Sequence, residues 1–145
     1  MSYDLYFGSE DDEPRPPDLV AWNNVVTQAR ALLGDVTVFE DPPNWELEHD
    51  GTGISVDHWA GGWGISVPYW WHGEAAGRVV DLMYQVARIV ERESGLDGND
   101  PQLDCPLADA DAAAAVRIFD AVAVRSGRIS GCAPEGADGV RSGRI

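Results

Sequence analysis

The sequence predicts an α+β fold, a mainly antiparallel sheet of four to five strands with two to three helices packed on one face. Three observations carry this. Runs that alternate apolar and polar residues are grouped together in the middle of the chain. Two runs with apolar residues at helical spacing flank that group. A glycine pair joins two of the alternating runs as a hairpin connection does, and strands grouped between helices give sheets with helices on one face.

The first strand is expected at Tyr3–Phe7, where Tyr3, Leu5 and Phe7 share a face. A polar, proline-rich loop from Gly8 to Pro17 carries Glu10-Asp11-Asp12-Glu13. Pro17 and Asp18 open a helix whose apolar positions are Leu19, Trp22, Val25, Val26, Ala29, Leu32 and Leu33, and Gly34 is its expected stop. Val36–Phe39 reads as a short strand ended by Asp41-Pro42-Pro43, and Trp45–His49 alternates weakly. Ile54, Val56 and His58 share one face of the next run, and Trp63, Ile65, Val67 and Tyr69 share one face of the run after it. The connection through Ala60-Gly61-Gly62 makes these an antiparallel hairpin.

The second helix, about Gly73 to Glu93, has Ala76, Val79, Val80, Met83, Val86, Ala87 and Val90 as its apolar stripe, and Ser94-Gly95 ends it. Leu96 to Leu103 contains a short extended piece, and an alanine-rich third helix is expected from about Ala108 to Val124. Residues 1–124 thus read as one domain. Residues 125–145 read as a glycine-rich, loosely packed tail, with the hexapeptide Val124–Ile129 repeated at Val140–Ile145.

Charge narrows the function. The chain of 145 residues has 25 acidic and 10 basic residues, a net charge of -15, and every basic residue is arginine. Twelve acidic residues against two arginines fall in residues 1–50, a net of -10 there. Such a field repels phosphate backbones, which argues against nucleic acid, and it speeds encounter with a basic protein. No apolar stretch reaches the roughly 18 residues of a membrane span, and the first residues lack the pattern of a secretory leader. These features place the chain in the cytoplasm, with Cys105 and Cys132 as free thiols.

Catalytic and metal-binding motifs are missing. There is no nucleophile elbow, phosphate loop or dinucleotide fingerprint. His49, His58 and His72 lack metal-ligand spacing, although His58 and His72 flank the hairpin. Asp97-Gly98-Asn99-Asp100 fails as a calcium loop because its glycine and twelfth residue, Ala108, are wrong. Cys105 has no basic neighbour in sequence to activate it. The reading is a non-catalytic protein without metal or cofactor.

The distinctive residues are aromatic. Trp59, Trp63, Tyr69, Trp70 and Trp71 fall within one short span, and at least one of Trp70 and Trp71 is expected to be exposed. Trp59, Trp70 and Trp71, with Glu10, Asp11, Asp12 and Glu13, are the expected partner-binding residues: aromatics bury large areas at low entropy cost and acids steer.

The opening Met1-Ser2-Tyr3-Asp4-Leu5-Tyr6-Phe7, Thr52-Gly53-Ile54 before a strand, and Asp100-Pro101-Gln102 after a long helix resemble motifs of a loose group of small uncharacterised bacterial proteins. Some of that group resemble immunity proteins of polymorphic toxin systems. The resemblance covers roughly residues 1–103, and Asn99 stands where the group more often has tyrosine. It implies a cytoplasmic binding protein that occludes a toxin, here a basic one. The alternative is a small enzyme or ligand-binding domain with a pocket between the hairpin 52–69 and the helix 73–93.

Overall fold

The computed structural model describes residues 1–8 and 15–125. The acidic run Glu10–Glu13, Cys132 and the glycine-rich segment from 126 onward lie outside the described residues. The elements, in order, are β1 (Ser2–Phe7), α1 (Leu19–Leu33), β2 (Thr37–Asp41), β3 (Asn44–Glu48), β4 (Ser55–Trp59), β5 (Gly62–Pro68), α2 (Gly73–Ser94), β6 (Gly98–Asp100), β7 (Cys105–Pro106), a 3-10 turn at Leu107–Asp109, and α3 (Ala112–Arg125). The protein is α+β, with three α-helices and one antiparallel sheet among the described residues. That sheet has seven strands, not four to five, in the order β2-β3-β4-β5-β1-β6-β7.

The short extended piece expected within Leu96–Leu103 holds β6, of three residues, and β7, of two, is a strand beyond those expected. A two-residue element carries no alternation to read, and β7 falls between that piece and the expected third helix. The third helix also starts later than expected. The 3-10 turn at Leu107–Asp109 precedes it, and α3 begins at Ala112.

The chain divides into two compact units. One comprises the described residues of Met1–Pro68 and Asp81–Ala110; the other comprises Tyr69–Val80 and the described residues from Asp111 to Arg125. The first holds the whole sheet. Tyr3, Leu5, Phe7, Leu47, Val56, Trp63, Ile65 and Val67 are buried on one sheet face, where alternation puts them. Helix α1 lays Ala21, Trp22, Val25, Val26 and Ala29 against that face, with the Trp22 ring 6.0 Å from that of Trp63. Asp18 caps α1 by accepting the Ala21 amide, and Gly34 ends it at a φ of 92°. From α2, Met83, Val86 and Val90 are buried, each worth ~1.5–3 kcal/mol by the area removed from water, with Ala87 buried among them. Glu93 of α2 receives the Asn24 and Gln28 side-chain amides of α1.

The second unit is small. Tyr69 meets Phe119 of α3 edge-on at 5.1 Å, and the Gly73 amide is accepted by Asp120. Ala115, Phe119, Val122 and Ala123 form the buried stripe of α3. Trp70 is 56% exposed and Trp71 half-buried, their rings 6.4 Å apart, so the expected exposure falls on Trp70.

Candidate functional site

Helices α1 and α2 cover one face of the sheet, and the other face carries its polar side chains. On it Tyr6, Phe39 and Asn99 are exposed, and Asp4, Glu46 and Asp57 are half-buried. Register places its side chains in rows. Phe39, Glu46, Asp57, Gly64, Tyr6 and Asn99 stand side by side across six strands, from β2 to β6. The neighbouring row is Thr37, Glu48, Ser55, Ser66 and Asp4. Among the described residues no strand carries an arginine, and the one histidine in the sheet, His58, is buried on the core side.

The acids on this face differ in how they are satisfied. Asp4 Oδ1 accepts from the Ser2 and Ser66 hydroxyls at 2.8 and 2.9 Å. Glu46 and Asp57 are cross-strand partners, and among the described residues no cation pairs with them. Like charges held opposite one another destabilise a sheet. Partial burial, then the hydrogen bond with Glu48 and the charges of Asp57 and Glu48, push the Glu46 carboxyl up to about 7. Burial first, then the charges of Glu48 and Asp4, also raise Asp57. This is the chemistry of a surface that lacks a counter-charge.

Aromatic rings border the acids. Phe39 and Tyr6 are each 49% exposed. Trp59 lies over Gly62 and Gly64: a Cβ at Gly62 would sit 3.0 Å from its ring, and one at Gly64 3.4 Å. Those glycines let the indole lie flat on the sheet. Phe39, Asp41, Glu46, Asp57 and Trp59 border a hollow of about 620 Å3. Of the expected partner-binding residues, Trp59 is therefore on the acidic face. Trp70 and Trp71 belong to the other unit.

His58 is a fixed core residue. Its Nε2 accepts the Asp18 amide at 2.9 Å and its Nδ1–H donates to the Gly62 carbonyl at 2.8 Å. Those partners define a neutral ring with both nitrogens engaged. It stacks on Trp63 at 3.9 Å, and burial lowers its pKa. His72 is exposed in the other unit. A second cavity, of about 580 Å3, lies beside His58, between Pro17, Leu19 and Val20 on one side and Trp63 and Leu96 on the other. Among the described residues, no three His, Cys, Asp or Glu side chains are grouped as metal ligands.

The Asp97–Asp100 segment is built into the sheet. Asp100 is fully buried. Its Oδ2 accepts from Tyr3 and Tyr84 at 2.7 and 2.8 Å; its Oδ1 accepts from the Gln102 side chain and the Leu103 amide at 3.1 and 3.2 Å. Gln102 in turn clasps the backbone of Asp4, accepting its N–H and donating to its carbonyl. The opening strand and the Asp100-Pro101-Gln102 motif, far apart in sequence, are thus bonded together. Cys105 is half-buried, and burial with the charges of Asp100, Asp109 and Asp104 keeps its thiol protonated.

Sequence reasoning missed the pairing of Glu46 with Asp57 and the Asp100 network. Glu46, Glu48 and Asp57 alternate with buried residues, which marks them as outward-facing; that they adjoin depends on register. Comparisons with protein-family models, with curated proteins and with solved structures return no match. No helix among the described residues is long and apolar enough to cross a membrane.

Proposed function

We propose that this chain is a non-catalytic binding protein of the immunity type, which occludes a basic toxin through the open face of its sheet. The observation that carries the reading is the composition of that face: Asp4, Glu46, Glu48 and Asp57, exposed aromatics, and no arginine on any strand among the described residues. Acids without counter-charges favour a basic partner in both encounter rate and selectivity. The fixed Trp59 indole supplies a flat anchor that loses little entropy on binding. The likeness of Met1–Phe7 and Asp100-Pro101-Gln102 to immunity-like proteins agrees with this, and those two motifs serve one clasp.

A ligand-binding domain is the second reading, favoured by the cavity beside His58. An acid–base role for His58 draws no support, since both ring nitrogens already have partners.

The test is co-expression. An immunity gene sits beside its toxin gene. The product of the adjacent gene should arrest growth when expressed alone, and this chain should restore growth and co-purify with it at one to one. A toxic neighbour that this chain neither binds nor neutralises removes the immunity reading.

A further inference from the structure

We propose that the hollow between Phe39 and Trp59 receives an arginine side chain of the basic partner, with the guanidinium on Glu46 and Asp57 and flanked by the two aromatic rings. The proposal rests on the binding reading above and assigns it a site. The shape of the hollow fits such a side chain. The hollow, about 620 Å3, is bordered by aromatic rings as well as carboxylates, so it accommodates a long apolar stem as well as a charged end. The two acids are also paired. Glu46 and Asp57 are direct cross-strand partners, which places their Cβ atoms ~5 Å apart. A planar fork of five N–H donors bridges two carboxylates at that spacing, whereas an ammonium is a compact point charge.

The aromatic wall is prepared in advance. Gly62 and Gly64 hold the Trp59 ring against the sheet, so it need not be ordered on binding. Guanidinium stacks on tryptophan more readily than ammonium, because it is planar and more weakly hydrated. The charge of the acids is unmet. Among the described residues no cation pairs with Glu46, Glu48 or Asp57. Both Glu46 and Asp57 hold protons more tightly than ordinary carboxyls. A bound cation reverses that tendency, so arginine entry should release protons near neutral pH.

The probe is a short capped peptide with two arginines separated by glycine, compared with its citrulline and lysine counterparts. Binding is followed by NMR at the Trp59 indole N–H and the Asp57 carboxyl. Saturable shifts at both positions are expected for the arginine peptide. Citrulline, which keeps the shape and loses the charge, should bind about tenfold or more weakly, and lysine should also bind more weakly. Glu46→Gln, Asp57→Asn and Trp59→Ala should each weaken binding several-fold with unchanged melting cooperativity. Glu74→Gln, an exposed acid on α2, should not.

Equal binding of the citrulline or lysine peptide overturns the assignment, as does an equal loss in Glu74→Gln, which would mean diffuse attraction. Saturation of the same carboxylates by micromolar calcium would make the hollow a metal site and also overturn it. The two readings fail separately. A chain that neutralises its toxin but ignores the arginine peptide keeps the function and loses this site; the reverse outcome keeps the site and loses the toxin.

Discussion

Asp100 is fully buried, and four donors meet its two oxygens. Its removal takes away the oxygen that both the Tyr3 and Tyr84 hydroxyls donate to, and the acceptor of the Gln102 side chain and the Leu103 amide, at ~1–3 kcal/mol for each donor left unsatisfied. Asp100→Ala is therefore expected to lose about 2–5 kcal/mol in urea unfolding, and Tyr84→Phe about 1 kcal/mol. An Asp100→Ala protein as stable as wild type would mean that water replaces the carboxylate. Two other residues make stability depend on pH in opposite senses. Burial lowers the folded pKa of His58, so its contribution is present above the ordinary value of about 6.5 and is lost as pH falls below it. The folded pKa of Glu46 is raised to about 7, so its contribution is present below about 4.5 and is lost as pH rises towards 7. Glu46→Gln removes the repulsion from Asp57 and Glu48. It should gain roughly 0.5 kcal/mol at pH 8, the scale of a cross-strand pair screened by solvent, and nothing at pH 4. Equal gains at the two pH values would show that the charge is irrelevant.

Helix α2 shows what was legible at the scale of elements. Its stripe of Ala76, Val79, Val80, Met83, Val86, Ala87 and Val90 is buried throughout, because a 22-residue amphipathic pattern leaves one face to hide. Met83→Asp should cost several kcal/mol or prevent folding, since Met83 is fully buried and an unpaired buried charge is expensive. An unchanged melting temperature would refute the packing of α2. Strands β1 and β5 were readable for the same reason, and the hairpin through Gly61 joins β4 to β5 as its spacing implies. Strand β6 was legible only as a short extended piece within Leu96–Leu103, and β7 not at all. Gly98–Asp100 pairs with β1 and Cys105–Pro106 with β6, next to the bonds between Gln102 and Asp4 and between Leu103 and Asp100; the contacts with β1 join distant residues, which no local pattern carries. The candidate site divides likewise. Trp59 stood out as an aromatic, whereas its acidic neighbours look like ordinary surface charge until register brings Glu46 opposite Asp57.

At the scale of the molecule, a net charge of -15 acts over distances beyond any single contact. Steering and contact should separate kinetically. Charge accelerates encounter, and salt shortens its reach to ~8 Å at physiological ionic strength. Desolvated rings act after encounter, by slowing dissociation. With the adjacent-gene toxin as partner, neutralising Glu10, Asp11, Asp12 and Glu13 together should lower the association rate severalfold at 20–50 mM salt (about one decade at most) and leave it nearly unchanged at 500 mM. Trp59→Ala should raise the dissociation rate at every salt concentration by about tenfold or more, as the loss of a central anchor does. Trp70→Ala distinguishes how far the interface extends. Trp70 is 56% exposed and belongs to the smaller unit, so a raised dissociation rate would enrol that unit in binding, whereas a silent variant would confine binding to the sheet. The measurement is surface-plasmon kinetics across ionic strength. Association that ignores salt would sink the steering argument, because a partner that gains nothing from the field of this chain has no basic surface to present to it.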